Sequence, residues 1–117
     1  MDKDRETIGL TNAADDALRT LEATGWFADG QDAARFSLAF AMREGVAEGH
    51  LSDTETRWSA GLFDRTGELR TLILALYPQS RTPIRLMEFL VNEGLRLVSA
   101  EIRNGATPID LMESGDP

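Results

Sequence analysis

The sequence predicts a mainly α-helical fold, a short N-terminal strand followed by about four helices, in a single domain spanning residues 1–117. Three observations carry this. Four stretches repeat apolar residues at intervals of three and four, the spacing of one helix face. Each stretch begins at a capping residue and stops at Gly, Asn or Pro. Only Thr7-Ile8-Gly9-Leu10 alternates clearly in the manner of a strand, with Ile8 and Leu10 on one face.

The first helix is expected from about Ala13 to Thr24. Thr11 or Asn12 caps it, Asp15 and Asp16 suit the positive end of the helix dipole, and Gly25 stops it. The second runs from about Gly30 to Glu44 behind the cap Asp29. Ala33, Phe36 and Phe40 mark one of its faces, and Ala34, Leu38, Ala41 and Met42 another. A helix apolar on two sides is buried on two sides. In so short a chain, the second side is expected to meet another copy. A four-residue strand also needs a partner, and its own counterpart in a second chain is the expected one. The expected dimer interface is therefore Ile8, Leu10, Ala34, Leu38, Ala41 and Met42.

Residues 46–61 read as a Gly-punctuated acidic loop, in which Thr56-Arg57-Trp58-Ser59 forms an extended piece that pins Trp58 to the core. The third helix is expected over about Gly67 to Tyr77, capped by Asp64 or Thr66 and ended by Pro78, with Leu69, Leu72, Ile73 and Leu76 as its stripe. The fourth runs from Pro83 to Arg103, between the Thr82-Pro83 start and the Asn104-Gly105 stop. Gly94 in its middle costs about 1 kcal/mol relative to Ala, which points to the close approach of another backbone. The fourth helix pairs with the third in a C-terminal unit, residues 62–103. Residues 1–6 and 106–117 are tails, the latter docking through Ile109 and Leu111.

Composition narrows the function. There is no cysteine, so a disulfide framework, a thiol nucleophile and a thiolate zinc site are all excluded. The charged N-terminus lacks an apolar segment behind it, and no apolar run is long enough to span a bilayer, so the chain is expected in the cytoplasm and off the membrane. The net charge of −8 disfavours non-specific nucleic-acid binding. His50, the one histidine, sits in the acidic loop with no partner at helical spacing and reads as a surface residue. Asp29 and Asp32 read as a cap and a first-turn acid, because the alternating ligands of a divalent-cation loop are missing. No catalytic residue, metal or cofactor is expected. The basic residues concentrate at Arg81, Arg85, Arg96 and Arg103. Their bland reading is a solvated face with Glu88, Glu93 and Glu101 interleaved; their functional reading is a contact strip for DNA or an acidic partner. Trp26 or Trp58 is a candidate exposed anchor.

The order strand, helix, Gly turn, helix over Thr7 to Val46 resembles the ribbon-helix-helix fold, in which two strands pair across a dimer and the second helices pack together. The chain from about residue 7 to 103 also resembles small accessory proteins of bacterial DNA phosphorothioation (Dnd) and related defence loci. The stretches that carry this are Gly30-Gln31-Asp32-Ala33-Ala34-Arg35-Phe36-Ser37-Leu38-Ala39-Phe40-Ala41, Thr56-Arg57-Trp58 and Asn92-Glu93-Gly94-Leu95. The resemblance implies a non-enzymatic accessory subunit or a DNA-associating protein; with the homodimer expected from the strand and second helix, the favoured reading is a dimeric accessory subunit with a protein partner. The alternative is a ribbon-helix-helix DNA-binding regulator contacting DNA through Arg5, Thr7, Arg81, Arg85, Arg96 and Arg103. The chain departs from DNA-reading members where Asp2, Asp4 and Glu6 flank the strand and where Asp29 and Asp32 occupy the start of the second helix.

Overall fold

The computed structural model describes residues 3–113; the outer ends of both expected tails, residues 1–2 and 114–117, lie outside the described residues. The elements are β1 (Thr7–Leu10), α1 (Asn12–Ala23), α2 (Gly30–Arg43), β2 (Glu55–Ser59), α3 (Ala60–Phe63), α4 (Glu68–Leu76), α5 (Pro83–Arg103) and α6 (Pro108–Glu113). The fold is mainly helical, as expected, with α3 and α6 added as short turns of helix and a second strand in the 46–61 segment. The caps of α1 and α2 follow the sequence, whereas Gly67 precedes α4 and Thr82 makes no side-chain cap on α5. Thr11 Oγ1 accepts from the Ala14 amide at 3.1 Å, and Asp29 Oδ1 from the Asp32 amide at 2.9 Å. Asp32 also pairs with Arg35 at 3.2 Å, and Asp15 with Arg19 at 3.0 Å and Arg57 at 2.7 Å.

Helix α5 has the bounds that its Pro start and Asn-Gly stop dictate. It is the axis of the molecule, packing most extensively on α2 and then on α1, with β1 and α4 along its other sides. Gly94 stands where α5 crosses α2. A Cβ added there would overlap the Ser37 carbonyl oxygen. Helix α2 is correspondingly small at this point: Ala33, Ala34, Ser37 and Ala41 are all buried, and the Ser37 hydroxyl donates back to the Ala33 carbonyl at 2.8 Å. The close approach expected at Gly94 thus comes from α2 of the same chain.

This crossing also accounts for the two apolar faces of α2. Ile8, Leu10, Ala34, Leu38, Ala41 and Met42 are each 8% exposed or less within the single chain. They belong to one continuous core that runs from Ile8 to Leu111. The residues expected to face a second copy are therefore spent on the chain's own interior.

The sheet is likewise completed within the chain. β1 pairs antiparallel with β2, in the register Thr7 with Ser59, Ile8 with Trp58, Gly9 with Thr56 and Leu10 with Glu55. Arg57 is the extra residue of a bulge, which turns it toward Asp15. The other edge of β1 is occupied by side chains of α5. The Gly9 amide donates to Glu88 Oε2 at 2.8 Å, the Thr11 amide to Asn92 Oδ1 at 2.9 Å, and Asn92 Nδ2 donates to the Gly9 carbonyl at 2.9 Å. Glu88 and Asn92, one turn apart, stand in for a third strand. The Thr54 hydroxyl adds a bond to Glu88 Oε2 at 3.2 Å, and Arg5 Nε approaches Oε1 at 3.3 Å as an ion pair without hydrogen-bond alignment. Glu88, expected on a solvated face, is fully buried. Among the C-terminal residues, Leu111 docks into the core as expected, whereas Ile109 is 66% exposed. Arg43 donates to the Leu111 and Met112 carbonyls, and the Thr107 amide and hydroxyl hold the Asp110 carboxyl below its usual range.

Two substitutions test this frame. Gly94→Ala would gain about 1 kcal/mol in helix propensity but must part α2 from α5; it is expected to lower the unfolding free energy by about 3 kcal/mol, the upper end for overpacking. Glu88→Ala strands the Gly9 amide and Arg5 and is expected to cost about 3–5 kcal/mol. Urea denaturation midpoints with an unchanged slope read both.

Candidate functional site

Helix α4 carries more apolar surface than its neighbours cover. Its sequence, Glu-Leu-Arg-Thr-Leu-Ile-Leu-Ala-Leu, buries only Ile73 completely. At about 100° per residue, the arc from Leu72 through Leu76, Leu69 and Ile73 to Tyr77 spans about 140°, and Leu74 stands beyond Arg70 at about 200°. The core takes the middle of that arc. Leu72 and Leu76 on one flank are 43% and 52% exposed, and Leu74 on the other is 38% exposed. The stripe expected to be wholly core is therefore corrected: Ile73 is core, Leu69 is half-buried, and Leu72 and Leu76 face out. A helix apolar this far round is normally enclosed. Leu62 on α3 is also exposed, at 56%.

The surrounding structure holds this face in place. Ser59 Oγ caps α3 by accepting from the Leu62 amide at 3.2 Å. Arg35 of α2 donates through Nε to the Phe63 carbonyl at 2.9 Å and lies over the Phe63 ring. The turn that follows passes through Gly67 at φ 78, a left-handed conformation that glycine adopts without strain. Asp64 then receives the Leu69 and Arg70 amides, both at 3.0 Å, anchoring the start of α4. At the other end, the Tyr77 hydroxyl donates to the Val46 carbonyl; burial, helped by the Glu48 carboxylate, raises its pKa and keeps it the donor.

Between α2, α3 and α4 lies a cavity of about 290 Å³ lined by Arg35, Phe63, Asp64, Arg65, Thr66, Glu68 and Leu69. Leu69, at one end of this lining, shares a helix face with Leu72 and Leu76 at i+3 and i+7. Arg65, which lines it, is exposed and forms no ion pair among the described residues.

The basic residues expected to form a strip are not brought together. Arg5 is engaged with Glu88, and Thr7 lies in the sheet opposite Ser59. Arg85 lines a cleft of about 290 Å³ with Glu48, Gly49, His50, Thr82 and Leu86. Arg96 and Arg103 line a separate cleft of about 350 Å³ beside α1, with Asp16 and Ser99. Arg85 and Arg103 share a helix face but stand about 27 Å apart along it. His50 thus has Arg85 and Glu48 for neighbours, across a groove that is open to solvent. Trp26 is the exposed tryptophan, at 38%, while Trp58 is half-buried against Phe63 with ring centroids 5.4 Å apart. Among the described residues no cluster of His, Cys, Asp and Glu is placed to hold a metal, and no helix is long and apolar enough to cross a membrane.

The exposure of α4 escaped the sequence reading because Leu69, Leu72, Ile73 and Leu76 have the spacing of an ordinary core stripe. The available signal was Leu74, an additional apolar residue on the opposite flank. Comparison of the chain with protein-family models, with curated proteins and with solved structures finds no match in any of the three.

The exposure pattern predicts opposite responses one residue apart. Ile73→Ala is expected to destabilise the chain by about 2–4 kcal/mol, whereas Leu72→Ser and Leu76→Ser each change stability by about 0.5 kcal/mol or less. Thermal denaturation of the three variants measures the contrast.

Proposed function

We propose that this chain is a non-enzymatic interaction protein, an accessory subunit that docks onto a different protein through the α3–α4 face. The observation that carries the reading is the exposure of Leu72 and Leu76 together on one flank of α4, with Leu74 exposed on the other. Exposed apolar side chains gathered on one helix flank mark an interaction site. The resemblance to accessory proteins of Dnd and related defence loci supplies the class of assembly, a bacterial DNA-modification or defence system.

The expected homodimer through β1 and α2 finds less support. Its six interface residues would have to leave the core, and both edges of β1 are already bonded, to β2 and to α5. The ribbon-helix-helix regulator needs the same release, and its arginines lie on separate surfaces.

The test is recovery of a defined complex from the native host, followed by mass spectrometry of its components at stoichiometric yield. The wild-type chain is expected to retain one partner that the Leu72→Ser, Leu76→Ser double variant loses while staying folded. Equal recovery by both chains, or a partner displaced only by changes in the Arg85 or Arg103 clefts, rejects the α4 face as the docking site.

A further inference from the structure

Independently of the α4 face, we infer that the cleft between α1 and α5 binds a small anion, whose single carboxylate or phosphate group lies between Arg96 and Arg103 and accepts from the Ser99 hydroxyl.

Each helix contributes one face to this cleft. On α5, Arg96, Ser99, Ala100 and Arg103 fall within about 100° of the circumference and span about 10 Å along the axis. On α1, Ala13, Asp16 and Ala17 complete the lining. Alanine at three of these seven positions keeps the side chains short, and a cleft of about 350 Å³ remains. Ser99 and Ala17, each 3% exposed, form its floor. Arg96, Arg103 and Asp16 are exposed and form its rim.

Ser99 is the residue that calls for a ligand. Its hydroxyl is buried and has no hydrogen-bond partner within the protein. Ser37 on α2 shows the usual solution, donating to the carbonyl four residues back. A buried hydroxyl without a partner is costly, and native folds leave few of them.

The flanking arginines decide what the partner is. Arg103 forms no ion pair among the described residues. Arg96 pairs with Glu93 through Nη2, at 2.6 Å, which leaves its other guanidinium nitrogens to the cleft. Guanidinium groups only donate, and a serine hydroxyl donates once. The lining therefore offers a surplus of donors against one acceptor group, the Asp16 carboxylate. An oxyanion has the lone pairs to match that surplus, and its bonds to arginine are charge-assisted. Asp16 pairs with neither arginine across the cleft. It repels a second acidic group, which limits the ligand to one.

The test is a nuclear magnetic resonance titration of the full chain with inorganic phosphate and, separately, with acetate. Sodium chloride holds the ionic strength constant. Saturable shifts are expected at the Arg96 and Arg103 Nε–H groups and at the amides of Ala13, Ala17 and Ser99. Whichever anion saturates at the lower concentration identifies the acidic group. Ser99→Ala is expected to weaken that anion about tenfold, the effect of losing one hydrogen bond to a charged group. The same variant should melt no lower than the wild type without anion. Arg103→Gln should abolish saturation, and Asp16→Asn should tighten binding by removing the opposing charge. Shifts that stay linear with both anions, or that centre on Arg85 and His50, overturn the site. So does saturation that Ser99→Ala leaves unchanged, or earlier melting of Ser99→Ala, which would give the hydroxyl a partner inside the protein. Weaker binding on Asp16→Asn overturns the assignment to an anion.

Discussion

The crossing of α5 over α2 at Gly94 is the constraint on which the rest of the fold depends. Helices with ordinary side chains at their contact lie 8–10 Å apart; here a glycine meets the Ser37 backbone, and the contact surface of α2 is made of alanine and serine. That close approach puts the larger side chains above and below the crossing into contact, where Leu38, Leu90, Leu95 and Val98 are fully buried. It also leaves α2 enclosed on two sides within a single chain. Everything attached to α5 is then positioned by this one contact: α1 beside it, β1 along Glu88 and Asn92, and α4 against its remaining flank.

The second organising device is polar. A two-stranded sheet alone is marginal in water. This one is secured because Glu88 and Asn92 bond the outer edge of β1 as a strand would. The arrangement buries a carboxylate, which is costly unless compensated. Two hydrogen bonds and the Arg5 guanidinium supply the compensation. Nearby, Asp4 receives the Ile84 and Arg85 amides at 3.1 and 2.9 Å, so the segment leading into β1 also caps α5. The N-terminal residues and the long helix thus hold one another.

What the sequence showed, and what it hid, follows from how local each feature is. Helix bounds are set by neighbours, so Asp29, Pro83 and Asn104-Gly105 placed the ends of α2 and α5 to within a residue. Gly94 revealed a close backbone because glycine has no other reason to stand in mid-helix. The identity of that backbone is a non-local fact. Two-sided apolarity in α2 is the same pattern whether the second surface is α5 or another chain, and a four-residue strand does not name its partner 45 or more positions away. Glu88 was hidden for a related reason. A glutamate between Arg85 and Arg96 reads as part of a charged face, and only the position of β1 turns it inward. Helix α4 failed in the opposite sense: its spacing promised burial, but the core supplies a surface for Ile73 and not for Leu72, Leu74 or Leu76.

The uncovered face is a consequence of the same economy. With α2 and β1 satisfied inside the chain, α4 is the longer helix whose apolar surface exceeds what the core covers. The central claim is that the α2–α5 core and both edges of β1 are completed within one chain. Native-state hydrogen exchange across a hundredfold range of protein concentration tests it most directly. The account predicts that the amides of α2 and α5, and those of Gly9 and Thr11, are the slowest to exchange at every concentration, while α4 exchanges fastest among the longer helices. Protection of β1 and α2 that rises with concentration would contradict it, by showing that a second copy completes the sheet and core.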